Sequence, residues 1–117
     1  MEEPYPDIEI YIEVTTRDAI VEWLESHFSV VVDEHNITLL RNDESVECLI
    51  VPDATDGFTS VWFSPNHTPW KTDLECSQSA HQHFQVEIRC STGSWQEDTP
   101  GWMKVNGEGC AEISWES

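Results

Sequence analysis

Positive charge is what this sequence most lacks. Five Lys and Arg stand against 23 Asp and Glu in 117 residues, a formal net of -18 at neutral pH. A surface so poor in cations repels phosphate-bearing substrates, nucleic acids and anionic membrane leaflets, so neither direct nucleic-acid binding nor membrane attachment is expected. Long apolar runs are missing too: none approaches the roughly 18 residues that span a bilayer. Acids at Glu2 and Glu3 occupy the place where a secretory signal carries Lys or Arg, and no apolar stretch follows. The expected location is therefore cytoplasmic. The sequons Asn36-Ile37-Thr38 and Asn66-His67-Thr68 then read as chance.

Catalytic and metal signatures are equally scarce. Cys48, Cys76, Cys90 and Cys110 form no Cys-x-x-Cys pair, which removes the usual structural-zinc pattern. The least implausible metal set is Cys76, His81, His83 and Cys90. It fails on geometry, because His81 and His83 lie two apart on an expected helix and point in different directions. Cys76 near a helix start is a candidate thiol nucleophile, yet Asp73 and Glu75 flank it, and negative charge disfavours a thiolate. No Gly-rich phosphate loop, Gly-x-Ser-x-Gly elbow, His-Glu-x-x-His or EF-hand loop occurs. No cofactor or metal is expected, and nothing argues for an enzyme.

What is present is a folding pattern. Hydrophobic residues make up 38%, with six Trp and four Phe, enough for a core and unlike an acidic disordered chain. The length suits one domain spanning residues 1–117. In residues 7–14 apolar and polar positions alternate strictly, placing Ile8, Ile10, Ile12 and Val14 on a core face and Asp7, Glu9, Tyr11 and Glu13 opposite. Thr15 or Thr16 caps a helix running to about Phe28, with Ile20, Trp23, Leu24, His27 and Phe28 at helical spacing. Strands follow at 29–33, 37–41, 45–51 and 58–63, joined by connections too short for parallel crossovers. Thr72-Asp73-Leu74-Glu75 is a capping box opening a second helix, whose inward stripe is Leu74, Ser77, Ala80, His81 and Phe84. A strand at 85–91 and a hairpin of 102–105 with 108–115 across Asn106-Gly107 complete the chain. The order β-α-β-β-β-β-α-β-β-β predicts an α+β fold: a mainly antiparallel sheet, both helices on one face, loosely ferredoxin-like. Two small layers instead of one curved sheet are the alternative.

If both helices cover one face, the other carries Asp7, Glu9, Tyr11, Glu13 and Glu87, offset by Arg89. These are the candidate partner-binding residues of an acidic protein-binding module that docks a basic protein; an ordinary solvated face is the competing account. Trp62, Trp70, Trp95 and Trp102 lie in or near two loops. Converging, they would line a pocket for an apolar ligand and make the protein a small-ligand binder or accessory enzyme; apart, they cap the open end of the core. Self-association into a homo-oligomer stays open.

Short, acidic, Trp-rich and α+β, the chain resembles the orphan proteins of bacterial mobile (integron) gene cassettes. The net charge and the spacing in Asp7-x-Glu9-x-x-x-Glu13 also make it similar to DNA-mimic inhibitors and small immunity proteins. Alternate strand residues are about 6.6 Å apart, close to the phosphate spacing along one DNA strand. That resemblance implies a non-enzymatic protein that neutralises a basic partner.

Overall fold

The computed structural model describes residues 7–13, 16–34, 36–55, 57–91 and 101–113. The chain runs β1 (Ile8–Glu13), α1 (Arg17–Glu25), β2 (Ser29–Asp33), β3 (Asn36–Arg41), β4 (Glu44–Thr55), β5 (Phe58–Ser64), α2 (Asp73–Phe84), β6 (Ile88–Ser91), β7 (Trp102–Asn106) and β8 (Gly109–Ile113). The expected order of elements is the observed one. All eight strands form one antiparallel sheet in the order β2-β3-β4-β5-β1-β6-β7-β8.

The topology explains the likeness to a ferredoxin fold. Because β1 and β4 both run antiparallel to β5, and β5 and β6 both run antiparallel to β1, β4 is parallel to β1 across β5 and β6 is parallel to β5 across β1. The α2 helix links the second pair directly, while α1 leads from β1 to the edge strand β2 and the chain returns through β3 to β4. The inner order β4-β5-β1-β6 is thus a split β-α-β arrangement. The meander from β2 widens one side and the β7–β8 hairpin widens the other.

Strict alternation in β1 puts Ile8, Ile10 and Ile12, all fully buried, against the helices. Both helices bury onto that same face. Ile20, Trp23 and Leu24 come from α1, and Cys76, Ser77 and Ala80 from α2. Trp23 lies at the centre, stacked on Trp70 at 5.3 Å between ring centroids and edge-on to Phe84 at 5.7 Å and Phe63 at 6.4 Å. Such pairs contribute about 0.5–1.5 kcal/mol beyond their buried area. The 65–71 loop brings Trp70 there through its own hydrogen bonds. The Asn66 amide donates to the Trp70 carbonyl at 3.0 Å and accepts from the Thr68 amide at 3.2 Å.

Caps fix the helix starts. The Thr16 hydroxyl accepts from the Ala19 amide, and the Thr72 hydroxyl accepts from the Glu75 amide. Glu75 reaches back one residue further than a capping box requires, to the Lys71 amide at 3.4 Å. Asp73, buried, joins α2 to β1 by accepting from the Glu9 amide at 3.3 Å.

Four local expectations are corrected. The α1 helix ends at Glu25, before His27 and Phe28. The inward stripe of α2 includes Asp73 and Cys76, while Leu74, His81 and Phe84 are half-buried. Gln85 belongs to no strand: it closes α2 in the left-handed conformation (φ 59), its side chain donating to the His81 and Gln82 carbonyls. The last hairpin turns on Gly107-Glu108, since Asn106 pairs with Gly109. The Asn106 side chain accepts from the Glu108 amide at 2.9 Å, an Asx turn that moves the register by one residue.

Candidate functional site

The sheet has a second face, and neither α1 nor α2 covers it. Register assigns its rows. Leu49, Trp62 and Glu9 line up across β4, β5 and β1; Val51, Ser60, Tyr11, Arg89, Lys104 and Ala111 line up from β4 to β8. Glu13 stands opposite Phe58. The candidate residues Glu9, Tyr11 and Glu13 thus share this open face, with Asp7 and Glu87 joined to it by contacts.

Those contacts organise the carboxylates. Asp7 Oδ2 accepts from the Trp62 indole Nε1–H at 2.7 Å. The two oxygens of Glu9 accept from the Ser60 hydroxyl at 3.2 Å and the Tyr11 hydroxyl at 3.4 Å. Burial, with the neighbouring Glu9 charge, raises the Tyr11 phenol above its ordinary value, so it stays a hydrogen-bond donor. Glu87 is paired: both Nε and a terminal nitrogen of Arg89 reach its Oε2, at 2.8 and 2.7 Å. The same guanidinium lies over the Phe58 ring, 4.6 Å from its centroid. Arg89 and Lys104 interrupt the acidity on the β6–β7 side, which leaves the β1, β4 and β5 side the more negative.

The tryptophans separate. Trp70 is buried on the helix face, whereas Trp62 and Trp102 lie on the open face. Trp102 packs edge-on to Tyr11 at 5.5 Å. From β5 to β7 is three strand spacings, about 14 Å, so Trp62 and Trp102 do not share one small pocket. Trp95 lies outside the described residues.

Charge-based reading missed two exposed apolar pairs, Leu49 with Val51 on β4 and, beyond Thr38 and Glu47, Leu40 with Val31 on β3 and β2. Val31, Leu40, Leu49 and Val51 are 50%, 43%, 53% and 40% exposed, and register puts all four on the open face. The signal was in the sequence: Cys48-Leu49-Ile50-Val51 and Val30-Val31-Val32 are unbroken apolar runs. A strand made of such a run presents apolar side chains on both faces. Beside Leu49, a hollow of about 220 Å³ is lined by Asn36, Thr38, Glu47, Leu49 and Trp62, with Ile37 and Cys48 behind them.

The chemistry of the buried thiols is quiet. Burial raises Cys48 to about 12 and Cys90 to about 11, and pushes buried Cys76 well up, so none ionises near neutrality. Cys110 is exposed on β8. Among the described residues, no three His, Cys, Asp or Glu side chains come together as a metal-binding group. No helix among them is long and apolar enough to cross a membrane. No family model matches the chain, and neither curated proteins nor solved structures give a significant match.

Proposed function

We propose that this chain is a non-enzymatic protein-binding module whose open sheet face docks a basic partner, in the manner of an inhibitor or immunity protein. The observation that carries the reading is the juxtaposition, on the sheet face that α1 and α2 leave open, of exposed Leu49 and Val51 and hydrogen-bonded carboxylates around Trp62. Apolar contacts supply the desolvated centre of such an interface, and charge supplies steering and selectivity. The partner's chemistry follows from the net charge. A second copy would bring -18 against -18, whereas a basic protein relieves the repulsion.

Capture experiments at about 20 mM and 500 mM salt, with the wild type and a Leu49→Lys/Val51→Lys variant, test this. The reading expects a basic protein that the wild type holds at low salt, that salt releases, and that the variant does not bind. Hydrogen exchange in the purified complex should slow amides in β3, β4, β5 and β1. Salt-insensitive binding, or protection confined to the helix face, would defeat it.

A further inference from the structure

The hollow beside Leu49 is too small for an ordinary small-molecule site, which occupies about 300–1,000 Å³. At about 220 Å³ it suits one large side chain. Its walls specify which. Leu49 and the Trp62 ring supply apolar surface, and the Asp7 carboxylate holds the indole N–H at 2.7 Å. That bond fixes the ring and satisfies its only donor, so its remaining contribution is a π surface. Glu47 puts a carboxylate on the lining, and Glu9 stands directly across the strand from Trp62. Among the described residues, no Lys or Arg lines the hollow. An anion would meet three carboxylates around one indole, and a neutral apolar group would leave Glu47 unused.

We propose that this hollow is a socket for an arginine side chain. It rests on the docking reading above and names the anchor that the basic partner inserts. A guanidinium is planar, weakly hydrated, stacks on an indole and hydrogen-bonds a carboxylate, and its stem is an apolar match for Leu49. A lysine ammonium offers the charge without the plane and loses more hydration, so it binds the same place less well.

The test is a titration of the ¹⁵N-labelled chain at low salt with acetyl-Gly-Arg-Gly-amide. Parallel titrations use the lysine peptide and the citrulline peptide, which keeps the arginine shape without its charge. The arginine peptide should move the Trp62 indole N–H signal saturably, with a half-point on the order of millimolar, as one anchored side chain allows. Lysine should bind more weakly and citrulline should not saturate. Glu47→Gln should weaken binding about two- to fivefold, the worth of one exposed ion pair. Leu49→Lys, at an exposed position, should abolish it with the amide spectrum otherwise kept. A Trp62 signal that stays still, equal binding of citrulline, or indifference to Glu47→Gln would overturn the socket. A basic protein that still docks in a salt-dependent way with Trp62 silent would leave the docking reading standing and remove only the socket. If no basic protein docks while the peptide shifts Trp62, the docking reading falls and the socket remains.

Discussion

Individual side chains set what chemistry this protein can show. With Cys48, Cys76 and Cys90 buried and their thiols raised, only exposed Cys110 should react with a thiol reagent at pH 8 in the folded protein. Mass spectrometry should find one label per chain, and four after denaturation; two or more fast labels in native buffer would contradict the described core. Trp23 touches both helices and β5, and Trp23→Ala should cost about 3–5 kcal/mol in a urea melt, with Trp23→Phe costing less. His27 adds a pH dependence. Its ring lies against Trp70 at 5.2 Å, and burial together with His83 and Arg41 lowers it from 6.5. The unfolded chain therefore takes up that proton first. Its contribution to stability is complete above about pH 6.5 and is lost as pH falls below 6.5 and through the lower folded value. His27→Gln should flatten that part of a stability–pH curve, and an unchanged slope would mean that His27 is not its source.

Elements show where the sequence was legible and where it was ambiguous. The first strand needed no tertiary information, because Ile8, Ile10 and Ile12 alternate with polar residues and only one face can be buried. Thr72, and the pair Thr15 and Thr16, marked helix starts for the same local reason, a hydroxyl placed to accept from the third amide on, and the structure selects Thr16 of that pair. Apolar runs were harder, since Cys48–Val51 is compatible with either face and only pairing with β3 and β5 decides that Leu49 and Val51 face water. That ambiguity hid half of the candidate site. The end of β4 was hidden differently: a register shift between Val51 and Thr55, with Asp53 in the left-handed region (φ 51), carries the strand through what reads as a loop. The final hairpin gives the sharpest element-scale prediction. An Asn106-Gly107 turn of the expected type would need positive φ at Gly107, whereas the observed strain is at Gly109 (φ 116), with open space around both glycines. Gly109→Ala should cost about 1–3 kcal/mol and Gly107→Ala within about 0.5 kcal/mol of nothing. Reversed magnitudes would put β8 one residue out of register and turn Cys110 to the other face.

On the scale of the whole molecule the dominant quantity is the net charge of -18 carried on a body of 36 × 34 × 23 Å. The open face relieves part of it locally, through Arg89 on Glu87 and the hydrogen bonds to Glu9 and Asp7, but those contacts involve few of the acids. Most carboxylates must repel one another across the surface. At 10 mM ionic strength the screening length is about 30 Å, comparable with the body itself, so nearly every pair contributes; at 0.15 M it is about 8 Å, and only near neighbours do. Unfolding spreads the same charges over a larger volume and relieves the repulsion, so the folded state gains more from screening. The melting temperature should therefore rise by several degrees between 10 mM and 0.3 M NaCl, level off beyond that, and respond alike to KCl. A steady climb that appears only with sulfate would signal exclusion of salt from the surface instead of screening. Replacing Glu47 and Glu9 by Gln should lower the salt response and raise stability in dilute buffer if those acids are kept for docking. No change on their replacement would place the repulsion elsewhere on the surface and leave the socket without its electrostatic cause.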